Sequence, residues 1–523
     1  NQTGSKNHFR IAIAGSGFGG LGMAIRLKQT GQNDFVLFER AADVGGVWRD
    51  NSYPGCACDV QSHLYSFSFA QNPSWTRAYS PQGEIHAYLK DCAHKFELLP
   101  HCRFNHEVTD AAWDDSAQLW RIQTSQGAFT ADVFIAGVGA LSDPSIPKLP
   151  GLEKFKGKVM HSARWDHSHE LSGRKVAVIG TGASAIQFVP AIQPKVGKLS
   201  LFQRTAPWVL PRRDRAITEG QRSLFAKSRL ALRMKRALIY LPRELMVLGF
   251  RNPSVIKLAH KLAVKHLERQ IKDPVLRAKV TPNYTLGCKR VLISDDYLRS
   301  LDKPNVDVVT DAIREVREGS IVTSDGAEHE VETIIFGTGF HVTDMPLAKY
   351  VRGRDGRTLQ EVWKGSPKAH LGITVAGCPN FFILQGPNTG LGHSSVITML
   401  EAQFEHILAA LRFLDGTNYA AVEPTAYAQE RFVAEVDRKM AGTVWTAGGC
   451  ASWYLDETGR NSTLWPTFVG SYRRRVASFD PNEYLSIARK SFRPSEPAAP
   501  HAASKKSKSR RATLFPQRIS PRV

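Results

Sequence analysis

Residues 8–15, HFRIAIAG, form a short apolar run that ends in glycine. The next stretch, GLGMAIRLKQTG at 20–31, spaces its apolar positions as a helix does and closes on another glycine. FVLFER at 35–40 is apolar again and carries an acid near its end. This order predicts strand, helix and strand, a βαβ unit. A second unit starts at RKVAVIG (174–180), passes through a helix and reaches KLSLFQR (198–204). Between the two, VFIAGVG (133–139) reads as a strand, and the Pro-rich LSDPSIPKLPG (141–151) as a crossing between domains. ETIIFGTGF (332–340) is strand-like and returns the chain to glycine, and EAQFEHILAALRFLDG (401–416) has the pattern of an amphipathic helix ended by Gly416. Residues 222–272 read as helices. From Leu230, the apolar set Leu230, Met234, Ala237, Leu238 and Leu241 follows one face, while Arg229, Arg233 and Arg236 lie on another.

The glycines that close the strands carry chemistry. In Gly15-Ser-Gly17-Phe18-Gly19-Gly20, the first glycine permits a tight turn. Gly17 lets backbone approach a pyrophosphate, and Gly20 allows close packing of helix on strand. Glu39 ends the second strand and is placed to accept from a ribose hydroxyl. A glycine fingerprint alone is weak. Strand, helix and acid together point to an adenine dinucleotide, and the acidic ribose partner suits FAD. The second fingerprint is Gly180-Thr-Gly182-Ala183-Ser184-Ala185. Its next strand ends not in an acid but in Gln203-Arg204-Thr205. An acid there would repel a 2′-phosphate, whereas arginine beside a hydroxyl would bind one, so this unit is expected to take NADPH. The predicted class is therefore α/β, with two Rossmann-like dinucleotide-binding domains. The expected boundaries are 8–142 and 340–489 for the FAD-binding domain and 143–339 for the NADP-binding domain. A helical insertion is expected at about 212–285, and a basic, disordered tail at 490–523.

Charge changes this picture in two places only. The net charge is +21. Residues 222–272 hold thirteen Lys/Arg against two Glu, and residues 489–523 hold ten against one Glu, so the rest of the chain is close to neutral. The seven cysteines are odd in number and widely scattered, which argues against a disulfide framework and for a reducing compartment. Cys56-Ala-Cys58 has no second pair at zinc-ligand spacing, so no metal site is expected. With no run of eighteen apolar residues, a soluble, cytoplasmic monomer is expected.

Four motifs in order resemble those of the type I Baeyer–Villiger monooxygenases. Phe155-x-Gly157-x-x-x-His161-x-x-x-Trp165-Asp166 stands between the two units. Gly45-Gly46-Val47-Trp48, Tyr53-Pro54-Gly55 and Asp59 fill the family's longer motif, and Gly337-Thr338-Gly339-Phe340 resembles its late flavin motif with Gly337 where Ala is usual. The resemblance covers roughly residues 8–480. It implies an NADPH- and O2-dependent oxygenase that inserts one oxygen beside a ketone carbonyl, giving an ester or lactone by way of a C4a-peroxyflavin. It assigns Gly15, Gly17, Phe18, Gly20, Glu39, Gly46, Val47, Trp48, Tyr65 and Val108 to FAD. Gly180, Gly182, Ala183, Ser184, Ala185, Arg204, Thr205 and Lys289 go to NADPH. Arg290 becomes the catalytic cation facing the flavin, with Asp59 as its partner. Phe155, Gly157, His161, Trp165 and Asp166 become a hinge feature linking domain movement to cofactor binding.

Two rival functions stand beside this one. One is a flavin-containing heteroatom (N/S) monooxygenase, and Trp165-Asp166 with Asp59 favours ketones over it. The other is a flavin redox sensor without turnover, its tail binding polyanions non-specifically and with no specific nucleic-acid reading. The basic helices at 222–272 have two readings, an ordinary solvated cationic face or peripheral contact with an anionic membrane. His393 is read as structural, and Trp445, Trp453 and Tyr454 as core.

Overall fold

The computed structural model describes residues 7–450 and 452–490. The tail expected at 490–523 lies almost wholly outside the described residues.

Both fingerprints open the units that the pattern predicts. The apolar strand His8–Ala14 lies between Phe35–Glu39 and Gly127–Ala136, parallel to each. Around it an eight-stranded sheet takes the order Val351–Arg352, Val108–Asp114, Leu119–Thr124, Gly127–Ala136, His8–Ala14, Phe35–Glu39, Cys102–Phe104. Phe381–Ile383 adds to Gly127–Ala136 off this path. The second sheet is wholly parallel, in the order Val306–Val309, Lys198–Phe202, Lys175–Ile179, Thr333–Phe336, Lys158–His161. Its strands are apolar and buried, as a sheet covered on both faces requires. The parallel registers set the carboxyl ends of neighbouring strands side by side, which is where an open α/β sheet binds its ligand.

The helix Phe18–Gln29 follows the first glycine turn, and Ala185–Ile192 follows the second. The helix expected at 401–416 starts earlier, at Val396, where the Ser395 hydroxyl accepts from the Ile397 amide, and it runs to Asp415 before Gly416. It packs on the first fingerprint helix, where Phe404 fills the space that a side chain on Gly22 would need. Within the 155–166 motif, Lys158–His161 is a strand. Val159, Met160 and His161 pair with Ile334, Ile335 and Phe336 at the edge of the second sheet.

The basic segment is helical at Glu219–Lys227, Arg229–Leu245, Val247–Arg251 and Pro253–Gln270. Its long helix differs from the reading of its faces. Arg236 turns inward and donates to the carbonyls of His63, Leu64 and Ser66 at 3.0, 3.2 and 2.8 Å, because these loop carbonyls need donors that the sheet cannot supply. The apolar set points outward. No helix among the described residues is long and apolar enough to cross a membrane.

Candidate active site between two dinucleotide loops

Each glycine turn is held by close backbone approach. Gly15 (φ 94°) and Gly180 (φ 104°) sit in the left-handed region that glycine adopts without strain. Gly17 faces Gly46 across 3.0 Å, measured from a Cβ placed on Gly46, so the longer motif closes directly on the first fingerprint. Glu39 is 4% exposed and fully engaged. It accepts from the Ser16 amide (3.1 Å) and hydroxyl (2.7 Å), from the Ala41 amide (2.9 Å), and pairs with Arg49 at 3.1 Å. The acid thus holds its own glycine loop.

A cavity of 1040 Å³ opens beside the second glycine loop, large for a single small-molecule site. It brings together Val47, Trp48, Asp59 and Tyr65 from the first side with Gly180, Gly182, Ala183, Ser184, Arg204, Thr205, Lys289 and Arg290 from the second. Gly15, Gly17, Phe18, Gly20, Glu39, Gly46, Val108 and Ala185 do not line it. Phe18 instead packs edge-on against Tyr65 and Phe67, with ring centres 5.1 and 5.2 Å apart. Val108 is buried in the core of the larger sheet. The Trp48 indole donates to the Tyr65 hydroxyl at 3.1 Å, which fixes both rings on the cavity wall.

Arg290 and Asp59, 231 residues apart in sequence, meet here. The guanidinium donates Nε to Asp59 Oδ2 at 2.9 Å and Nη2 to the same oxygen at 2.5 Å. Both side chains are about one-third exposed (32% and 31%), and both line the cavity. The Asp59 charge raises Arg290 above its ordinary range, against the pull of burial. Burial pushes Asp59 upward, but Arg290, and behind it Arg243, hold it below the usual carboxylate range. The pair is therefore charged, and one oxygen of Asp59 takes both donors. Tyr454 stands beside Arg290, and burial lifts its phenol to about 12.

At the second loop, Lys289 and Arg204 converge. Burial lowers the Lys289 ammonium, and the charge of Arg204 lowers it further. Among the described residues neither has a carboxylate partner. Two cations converging without an anion fit a phosphate group. With the glycine cradle beside them, they fit NADPH, and the N-terminus of the helix Phe18–Gln29 behind the first glycine turn fits the FAD pyrophosphate.

The 155–166 motif is closely packed. A side chain on Gly157 would run into the Glu332 carbonyl at 2.3 Å and the Phe155 ring at 2.7 Å. His161 is buried, its Nδ1 accepts from the Ala163 amide at 3.1 Å, and burial lowers it to about 4. Its ring meets Phe340 edge-on at 5.7 Å, joining this motif to the late glycine motif. Trp165 packs on Phe188 of the second fingerprint helix at 5.5 Å, and Asp166 is held by Lys158 and by the Ser168 amide at 3.0 Å.

Several contacts escaped the sequence. Gln187 ties the second fingerprint helix to the loop before Asp59. It accepts from the Tyr53 hydroxyl (3.0 Å) and the Ala57 amide (3.3 Å), and donates to the Ala57 carbonyl (2.9 Å). Arg243 donates to the carbonyls of Asp59 at 3.4 Å and His393 at 3.5 Å. His393 is buried against Glu244 at 3.7 Å and does not line the cavity. Trp445 and Tyr454 are core residues as expected, but Trp453 is 43% exposed and lines the cavity.

The cysteine reading needs one correction, for Cys288 and Cys450 form a disulfide. Their separation of 162 positions hid the pairing, and the fold closes that gap. Gly448 leaves room for it, since a side chain there would come within 2.7 Å of Cys288 Cβ. The bridge adjoins Lys289 and Arg290 in sequence. Cys56, Cys58, Cys92, Cys102 and Cys378 are unpaired and buried.

The flavin-binding monooxygenase-like family matches residues 8–349. A Baeyer–Villiger monooxygenase of Streptomyces coelicolor is 52% identical over 479 residues, which is 91% of this chain and 92% of the relative. Another, from Pseudomonas aeruginosa, is 50% identical over 480 residues, 91% of each chain. Cyclohexanone monooxygenase from Rhodococcus sp. Phi1, in a crystal structure bound to NADP+, superposes with a TM-score of 0.82 at 28% identity, covering 93% of this chain and all of that one. Fold, motifs and relatives agree: the chain belongs to the flavin-binding monooxygenase-like family and, within it, to the type I Baeyer–Villiger monooxygenases, which use FAD and NADPH.

Proposed function

We propose that Arg290 is the catalytic cation of this enzyme and Asp59 its positioning partner. The net reaction takes a ketone, O2, NADPH and a proton to an ester or lactone, NADP+ and water. FAD, when bound, supplies the activation of oxygen, and NADPH supplies the two electrons. The observation that carries the assignment is the Arg290–Asp59 pair on the wall of a cavity lined by the second glycine loop and by Val47, Trp48 and Tyr65 of the first domain. Guanidinium stays charged where a lysine could lose its proton. It therefore stabilises the negative charge that develops on oxygen when the carbonyl is attacked. Asp59 spends one oxygen on Nε and Nη2, which leaves Nη1 free of that carboxylate and able to face the reacting atoms. Lys289 and Arg204 hold the 2′-phosphate, and Trp48 and Tyr65 wall off water from the flavin side.

Glu39 would hold the ribose of FAD only where one of its side-chain partners, the Ser16 hydroxyl or Arg49, gives way. We likewise propose the domain boundaries given above, the hinge role of the 155–166 motif, a monomeric state and a cytoplasmic setting with the basic insertion in reach of a membrane. Five buried free thiols support the setting, and the Cys288–Cys450 bridge counts against it.

The test is Arg290→Ala. It is expected to keep its flavin and to oxidise NADPH, while ester formation falls about 100- to 1000-fold. Ester production at the wild-type rate would remove Arg290 from the mechanism.

A further inference from the structure

The long insertion helix Arg229–Leu245 is inside out. Leu230, Met234, Leu238, Leu241 and Leu245 are between 57% and 68% exposed. At helical spacing they fall in one narrow stripe. The opposite side is the one that packs. Leu232 and Ile239 are buried there, and Arg236 and Arg243 turn to backbone carbonyls. A helix on a globular protein ordinarily does the reverse, burying its apolar stripe. The exposure continues through Met246 and Leu248 to Val255, Leu258 and Leu262 on the helix Pro253–Gln270. Of the nineteen large apolar side chains exposed among the described residues, eleven lie between 224 and 262. Such a concentration marks a surface that something covers.

Charge says what covers it. Arg229 and Arg233 are exposed along one edge of the stripe, and on the next long helix Lys257, Lys261 and Lys265 are exposed beside Leu258 and Leu262. None of these five cations has a carboxylate partner among the described residues. A second copy of the chain seated symmetrically on this face would set cations against cations. An anionic surface would neutralise them.

We propose that this face docks on an anionic lipid bilayer, with the leucine stripe at the boundary of headgroups and acyl chains and the cations on lipid phosphates. The surface stands apart from the oxygenation chemistry, so binding is read without turnover. The test uses the full chain and sedimentation with vesicles at low ionic strength. The wild type is expected to pellet with vesicles of phosphatidylcholine mixed with phosphatidylglycerol and to stay in solution with phosphatidylcholine alone. Leu238→Gln combined with Leu241→Gln changes two exposed residues and no charge. It is expected to cut the bound fraction about fivefold or more, with ketone-dependent NADPH oxidation in solution unchanged. The proposal is overturned if the wild type stays in solution with the anionic vesicles. It is equally overturned if the double variant binds as the wild type does, which would place binding elsewhere on the chain. Light scattering that finds a dimer split by the double variant would assign the face to a second copy instead.

Discussion

The two glycine turns use one backbone device and finish it differently. A side chain on Gly15 would meet the Gly137 carbonyl at 2.7 Å, and one on Gly180 would meet the Gly337 carbonyl at 2.6 Å. They part at the third fingerprint position. In the first turn a Cβ on Gly20 would lie 1.8 Å from the Gly15 carbonyl, so nothing larger than glycine fits. In the second, Ala185 occupies that position, and the neighbouring strand gives way instead: a Cβ on Gly337 would lie 3.1 Å from that of Ala185. The ends of the following strands also differ. Glu39 is buried and saturated, while Arg204 is exposed and open to a ligand. One loop is closed around its own acid. The other leaves its arginine open to solvent.

This contrast can be broken at its strongest point by Gly20→Ala. The turn cannot hold both the methyl and the Gly15 carbonyl, so the purified protein is expected to lose FAD, seen as loss of its yellow absorbance. Full flavin content would show that the two turns are equivalent. The open loop is tested next by Arg204→Gln. Losing one charge-assisted contact is expected to raise the KM for NADPH about 10- to 100-fold, with flavin content unchanged and discrimination against NADH reduced.

A third measurement concerns acid. His161, buried at the edge of the second sheet, titrates at about 4 when folded and near its ordinary value when unfolded. The unfolded chain therefore binds the proton first. Stability is complete above about pH 6.5 and is lost as pH falls toward 4, by about 2 kcal/mol at pH 5. Replacing it, His161→Gln, is expected to remove that part of the acid loss in thermal melts at pH 7 and pH 5. The smallest effect belongs to Gly337→Ala. A shift of a few tenths of an ångström accommodates the methyl, so a cost of about 1 kcal/mol is expected. A loss as severe as that of Gly20→Ala would mean that the second turn has no more slack than the first.

Much of this was legible beforehand, and the reason is locality. Each fingerprint needs its strand, turn and helix within about thirty residues, so the glycines and apolar runs announce the unit by themselves. The resemblance then named Arg290 and Asp59, which spacing alone could not have paired. Gln187, Arg243 and Trp453 carried no such signal. Gln187 is a polar residue on a fingerprint helix, and only the approach of the 53–59 loop gives it a purpose. The 230–245 helix misled in a physical way. Its periodicity was right, but periodicity says that two faces differ and not which one turns inward.

The sequence by itself determined the two glycine turns with their strands and helices, and the family. These depend on short stretches whose backbone geometry only certain residues allow. Tertiary structure decided what meets across the cavity: Arg290 on Asp59, Lys289 beside Arg204, Cys288 on Cys450 and the outward leucines. Such contacts form because the tertiary fold brings distant segments together, and no local propensity encodes that distance.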